Sequence, residues 1–199
     1  LNNLTCYCHN LDKHIIRRSQ LTVFTSEGFQ DYLFPKEKKY LHKTLFIKNK
    51  LHNSFRHKLR TKSSEVNLSS ISFGFVGLIR YPNTILRFAK IVGRHFPEHR
   101  FHFWGDVEGN ILDDEDWSKY SNVYFHGGFA NPRDLTKIYS TIDINVACYD
   151  PVSGNVSIAE PNKLYESIFF GKPLLVTADT YVHRRVESLG IGFGINALS

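Results

Sequence analysis

From residue 71 onward the chain alternates between two hydrophobic periods. The stretch ISFGFVGLI (71–79) is almost continuously apolar, as a strand buried on both faces would be. NTILRFAKIVGRHF (83–96) instead places Ile85, Phe88, Ala89 and Val92 on one side of a helix. RFHFWG (100–105) and NVYFHG (122–127) read as two further strands with an acidic connection between them. Asn131 and Pro132 open a helix over 132–142, with Leu135, Ile138, Tyr139 and Ile142 on one face. DINVAC (143–148) is a strand, and 149–160 reads as a loop. The next helix carries Pro161 at its start, where a missing N–H costs nothing, and Gly171 at its end. PLLVT (173–177), a helix over 180–189 and a strand-like 190–196 complete the pattern.

Strands alternating with helices of this length predict a parallel sheet covered on both faces, an α/β, Rossmann-like doubly wound domain over 71–199. The first 43 residues differ. LTVFTS (21–26) predicts one strand and SEGFQDYLF (26–34) one short helix capped by Ser26. A single strand–helix unit cannot bury its own faces, so 1–43 is expected to be the closing fragment of a second α/β domain. Residues 44–70 are assigned as a linker with a first element, the polar part being 54–70.

Composition narrows the setting. A 199-residue chain that is 42% hydrophobic can bury a full core, yet it contains no apolar run of bilayer length. Three cysteines, Cys6, Cys8 and Cys148, are too few for a disulfide framework, and a cytoplasmic location is expected. The net charge of +6 is uneven. Residues 1–70 hold 13 Lys and Arg against 5 Asp and Glu, whereas 71–199 hold 12 against 14. No nucleic-acid motif accompanies the basic third, so nucleic acid is not an expected partner. An anionic membrane surface at the inner face of the cell membrane is, with a solvated linker as the plainer alternative.

Ligands of open parallel sheets bind beyond the carboxyl ends of the strands. Gly77 and Arg80, Gly105, Gly127 to Phe129, and Tyr149 to Glu160 all fall there, followed by Lys163 and Glu166 at a helix start. Two cations and a helix N-terminus suit a diphosphate. A carboxylate suits the vicinal hydroxyls of a ribose. Together they describe a sugar nucleotide.

The segments GFVGLIR, FHFWGD, NVYFHGGF, DLTKIYSTIDI and EPNKLYESIFFGKPLLVT, in this order, resemble the C-terminal, donor-binding half of GT-B glycosyltransferases. The type is the group-one, family-four kind that builds bacterial surface and capsular polysaccharides. The resemblance implies a hexosyltransferase, retaining in stereochemistry, that uses a nucleotide-diphosphate sugar and a lipid-linked saccharide acceptor. By position, Glu166 resembles the ribose-binding carboxylate and Arg80 the diphosphate-neutralising arginine, with Lys163 beside it. Asn162, Lys163 and Leu164 would present backbone N–H groups to the phosphates. Gly77 and Gly105 would admit the ligand, and the Phe129 main chain would meet the base. The family's first glutamate falls on Ile158, and Glu160 is assigned as its substitute in the catalytic set with Arg80 and Lys163. A family lysine five residues after the arginine is Ile85 here.

No metal and no cofactor are expected, the donor being a substrate. The acidic run Asp113–Asp116 contains an Asp-x-Asp pattern but follows a connection rather than a strand, and reads as a solvated loop. Cys6, Cys8 and His9 lack a second ligand pair at zinc spacing. GFVGLIR does not supply a Gly-x-Gly-x-x-Gly turn, which disfavours a nicotinamide oxidoreductase. Two readings remain. One is a glycosyltransferase, or its donor-binding portion, inactive as this chain alone. The other is a non-catalytic nucleotide-sugar-binding subunit that needs a separate acceptor-binding chain.

Overall fold

The computed structural model describes residues 3–34, 42–56, 66–110, 112–150 and 154–196. Its centre is a six-stranded, all-parallel sheet of β3 (Ser72–Val76), β4 (Arg100–Trp104), β5 (Val123–Phe125), β6 (Ile144–Ala147), β7 (Leu174–Thr177) and β8 (Gly192–Ile195). The spatial order is β5-β4-β3-β6-β7-β8. The chain winds outward from β3 to β5, then returns to β6 on the other side of β3. This reversal leaves a crevice beyond the ends of β3 and β6, the place where doubly wound sheets take ligands.

Both faces of the sheet are covered, as its continuous apolar strands require. On one face lies α3 (Pro82–His95), which buries Ile85, Leu86, Ala89 and Val92 against Phe75, Phe101 and Phe103. Phe88 is only partly buried and meets Phe101 edge-on at 5.5 Å between centroids. The other face holds α4 (Leu135–Ser140) and α6 (Asn162–Phe170), where Leu135, Ile138, Tyr139 and Phe170 pack on Val76. Each large side chain buried in this way contributes about 1.5–3 kcal/mol. The helix of α7 (Tyr181–Leu189) adds Val182 and Val186 beneath β7, and Gly190 ends it in the left-handed conformation with φ +63°.

Several elements depart from the sequence pattern. The helix predicted over 132–142 is shorter, because Asn131–Asp134 form turns and Asp134 accepts the Ala130 N–H at 2.8 Å. Within 149–160, Gly154–Ile158 form a short helix, α5, rather than a plain loop. At the start, α1 (Asn3–Arg18) is a helix that the pattern did not announce. Among its described side chains Ile16 is buried, whereas Leu11 and Ile15 are exposed. Ile16 joins Leu33 and Phe34 in a small separate cluster.

The predicted strand and helix of the first third are β1 (Thr22–Phe24) and α2 (Glu27–Leu33). Ser26 is the N-cap residue of α2, but its side chain makes no cap hydrogen bond there. The first element of the 44–70 segment is β2 (Thr44–Phe46), which pairs in parallel with β1. Residues 57–65 of the assigned linker lie outside the described residues, as do 35–41 of the basic stretch and the side chain of Cys6. Part of the basic excess that is described serves the fold. Lys43 donates to the carbonyls of Arg17 and Ser19, and Lys48 pairs with Glu27 at 2.9 Å. No helix among the described residues is long and apolar enough to cross a membrane.

Candidate functional site

The ends of β3, β4 and β5 are stitched together by glycines. Gly77 donates to the Trp104 carbonyl and Gly105 to the Gly127 carbonyl, both at 2.7 Å. Gly105 has φ +132°, and a side chain there would overlap the Gly77 carbonyl oxygen. At Gly77, with φ +136°, a Cβ would lie 3.0 Å from the Lys163 ammonium nitrogen. These two glycines let the strand ends approach one another and admit the lysine.

Lys163 is only 6% exposed. Its Nζ donates to the Tyr149 hydroxyl at 3.0 Å and sits 4.3 Å from the centroid of the Phe75 ring. Among the described residues no carboxylate pairs with it. A buried ammonium without a counter-charge is costly, and an anion from outside would relieve that cost. The backbone beside it has the same preference. Pro161 precedes α6 in an extended conformation, and no side chain caps the helix. The Leu164 N–H, assigned to phosphate from the sequence, is instead bonded to the Pro161 carbonyl at 3.1 Å. The N–H groups of Asn162 and Lys163 remain at the positive end of the helix.

The N-terminus of α3, by contrast, is already satisfied. Asp150, just beyond β6, accepts from the Thr84 N–H at 2.7 Å, the Asn83 N–H at 3.3 Å and the Asn83 side-chain amide at 2.9 Å. Asp150 escaped the sequence reading because it caps a helix 66 residues away, which no local spacing announces. An incoming anion therefore meets open donors at α6, while α3 carries its own carboxylate.

One turn into α6, Glu166 is also buried. Its Oε2 accepts from the Tyr139 hydroxyl at 2.6 Å, and no described residue engages its Oε1. Burial, and then the adjacent Glu166 charge, push the Tyr139 phenol well above its ordinary pKa, so it remains a donor. Asn145 ties this group to the helix by donating to Tyr139, the Lys163 carbonyl and Ser167. Glu166 and Asn162 line a cavity of about 330 Å³ together with Leu51, His52 and Leu135.

Arg80 lines a mainly apolar cleft of about 320 Å³ with Tyr81, Tyr149, Pro161 and Thr180. It is exposed and paired with Glu108 at 3.0 Å. A surface pair of this kind contributes at most about 1 kcal/mol and exchanges readily for a ligand phosphate. Phe129 lines a separate cavity of about 430 Å³ with Trp104 and His126.

Glu160 is not brought to the crevice. Its side chain is fully buried, one oxygen accepting from Arg185 at 3.0 Å and the other from the Tyr165 hydroxyl. A buried carboxylate needs a cation and a donor, and α6 and α7 supply both. Its assignment as the donor-sugar carboxylate therefore meets a side chain whose oxygens are committed elsewhere. In the acidic run, Glu115 pairs with Lys90 at 2.7 Å and Asp116 caps the turn at Trp117–Lys119. No group of three or more His, Cys, Asp or Glu among the described residues could hold a metal ion.

His126 belongs to an aromatic layer on β4 and β5. It lies 3.0 Å from His102 between ring nitrogens and stacks on Trp104 at 4.4 Å. Burial, then the charges of His126 and Arg100, lower the His102 pKa to about 4. Its folded pKa is thus below the unfolded value of about 6.5. The stability it contributes is complete above pH 6.5 and is lost as the pH falls towards 4. Denaturant melts between pH 7 and 4 should show a steeper acid loss for the native chain than for His102→Gln. Parallel pH profiles would show that the histidine layer does not carry this dependence.

No family model matches the sequence, and no curated protein matches it at a significant level. Solved structures do share its fold. HepE of Anabaena, solved in complex with UDP-glucose, superposes with a TM-score of 0.64 at 14% identity, covering 94% of this chain and 53% of HepE. The pneumococcal O-GlcNAc transferase GtfA, solved with UDP and GlcNAc, has a TM-score of 0.58 at 16% identity and is covered over 33% of its length, against 87% of this chain. WaaG, a glycosyltransferase involved in lipopolysaccharide biosynthesis, gives 0.58 at 13% identity over 87% of this chain and 48% of WaaG. The chain spans about half the length of HepE and a third of GtfA. The chain shares its Rossmann-like α/β fold with these three proteins.

Proposed function

We propose that the chain holds a nucleotide-diphosphate sugar across the crevice between β3 and β6, as the donor-binding portion of a glycosyltransferase. The observation that carries this reading is the buried Lys163 ammonium, without a carboxylate partner among the described residues, beside the start of α6, where Pro161 provides no side-chain cap. The diphosphate lies over the Asn162 and Lys163 N–H groups, with Lys163 on one side and Arg80 released from Glu108 on the other. The ribose hydroxyls donate to the unengaged Oε1 of Glu166, which Tyr139 holds in place. The base reaches the Phe129 main chain. In the reaction, the bond between the sugar C1 and the diphosphate oxygen breaks and its electron pair leaves with the phosphate. An acceptor hydroxyl bonds to C1 and its proton passes to an oxygen of the departing diphosphate. The cations and the helix end stabilise the charge that develops on the leaving group.

The acceptor in this reading is a lipid-linked polysaccharide precursor, met at the cytoplasmic face of a membrane whose anionic surface attracts the basic first third. Support for the donor class comes from the shared fold with proteins solved in the presence of UDP or UDP-glucose.

Calorimetric titration with UDP tests the donor site. Saturable binding is expected, and Glu166→Ala should weaken it by about 1.5–3 kcal/mol, the scale of a hydrogen bond to a charged group, with circular dichroism unchanged. Absence of saturable binding to the native chain would sink the reading, and equal affinity in the variant would remove Glu166 from the site.

A further inference from the structure

The segment that delivers the chain into α6 is gripped from outside the sheet domain. The Ser26 hydroxyl, fully buried, donates to the Ile158 carbonyl at 2.9 Å. The Asn49 side-chain amide donates to the Glu160 carbonyl at 3.0 Å. Gly28, in the first turn of α2, lies so close that any side chain would collide with the same Ile158 carbonyl and with Tyr181. Glu27 completes the contact by accepting from the Tyr181 hydroxyl at 2.6 Å and pairing with Lys48. All four residues belong to the β1–α2–β2 unit or its immediate continuation. The two carbonyls they hold lie one and three residues before Pro161.

The opposite end of the site is held differently. Glu166 rests on Tyr139, and the body of α6 rests on Asn145 through the Lys163 carbonyl and Ser167. The entry to α6 therefore has an additional support that the Glu166 end lacks. Ser26 and Asn49 hold its carbonyls, beside the Asn145 contact with the Lys163 carbonyl and the Tyr165 and Arg185 contacts with the Glu160 side chain, whereas Glu166 rests on Tyr139.

We propose that Ser26, Gly28 and Asn49 are positioning residues. They clamp Ile158–Glu160 so that the start of α6 faces the diphosphate, and the amino-terminal unit thereby sets phosphate affinity without touching the ligand. This rests on the donor-site reading above for its consequence, but the clamp itself can be measured without any nucleotide. A shift or rotation of the first turn that turns its N–H groups away from the ligand weakens those bonds, steeply once the angle falls below about 120°.

The experiment uses the full chain, as Ser26→Ala/Asn49→Ala and as Asn49→Ala alone, the latter at a half-buried position. Hydrogen exchange is followed by residue. The amides of Ala159 and Leu164, bonded to the Asn155 and Pro161 carbonyls, should exchange at least about tenfold faster in the variants, as expected when the entry segment opens more readily, while those of 166–170 keep their rates. UDP should bind about tenfold more weakly and uridine equally well, since uridine uses the Glu166 end alone. Unchanged exchange at Ala159 and Leu164 would overturn the clamp, and so would an equal loss of uridine and UDP affinity, which marks general destabilisation. A native chain that binds neither ligand would reject the donor-site reading, and the exchange rates would still decide the clamp.

Discussion

Lys163→Met should bind UDP about 10–100-fold more weakly than the native chain and yet unfold at a higher temperature. The two effects share one cause. In the free protein the ammonium is buried, with the Tyr149 hydroxyl as its hydrogen-bond partner and aromatic faces around it. Replacing it with a neutral side chain of similar length removes a desolvated charge, which stabilises by roughly 1–2 kcal/mol on the scale of exchanging buried ions for apolar groups. For a domain of this size that is about 2–8 °C in Tm, at 2–4 °C per kcal/mol. In the complex the same change removes a charge-assisted hydrogen bond to phosphate, about 1.5–3 kcal/mol. Uridine binding should be unaffected. A lysine that merely supported the fold would behave in the opposite way, its replacement lowering Tm and weakening both ligands together. Thermal melts and calorimetry on one protein preparation separate the outcomes.

Arg185→Ala should be the more damaging change to stability, costing about 3 kcal/mol. Glu160 is fully buried, and removing its cation leaves an uncompensated carboxylate, whose penalty in proteins is about 3–5 kcal/mol. The lower end applies because water reaches the partly exposed Arg185 and the Tyr165 hydroxyl remains as a donor. Tm should fall by about 6–12 °C. A loss below about 1 kcal/mol in urea titrations would mean that Glu160 finds water or a proton instead, and would return it to the list of groups free to meet a ligand. Arg185→Lys should recover only part of the loss, since the guanidinium Nε geometry is not reproduced by an ammonium.

The order and type of the sheet-domain elements were legible because their hydrophobic faces are set by local periodicity. Ile85, Ala89 and Val92 fall on one side of α3 whatever surrounds them, and the apolar run of β7 reads as buried on both sides. That Lys163 and Glu166 both lie in the first turns of one helix was legible for the same reason, whereas their partners, Tyr149 for the one and Tyr139 for the other, were not. Asn162 and Lys163 could be placed at an open helix end from Pro161 alone. Where the reading failed, the information was not local. β2 is three residues in a basic stretch and becomes a strand only by pairing with β1, 22 positions earlier in register. Among the described side chains of α1, Ile16 alone is buried, against Leu33 and Phe34 at the end of α2, a partnership that no local spacing announces.

The site divides along the same line. By itself the sequence determined which chemistry is present: cations, a carboxylate, glycines at strand ends and a helix start, all at the carboxyl edge of a parallel sheet. Only the tertiary structure decided which of these groups are free to act. Glu160 and Glu166 are both buried acids near one helix start, and nothing in their spacing separates them. The return of α7 brings Arg185 to Glu160 and commits its oxygens, whereas Tyr139 engages only one oxygen of Glu166. Asp150 closes the start of α3 from 66 residues away, leaving α6 as the open helix end. The physical reason is the same in each case. A residue type and its local spacing set what a side chain can bond, but burial makes every bond partner count, and distant partners are chosen by the path of the chain.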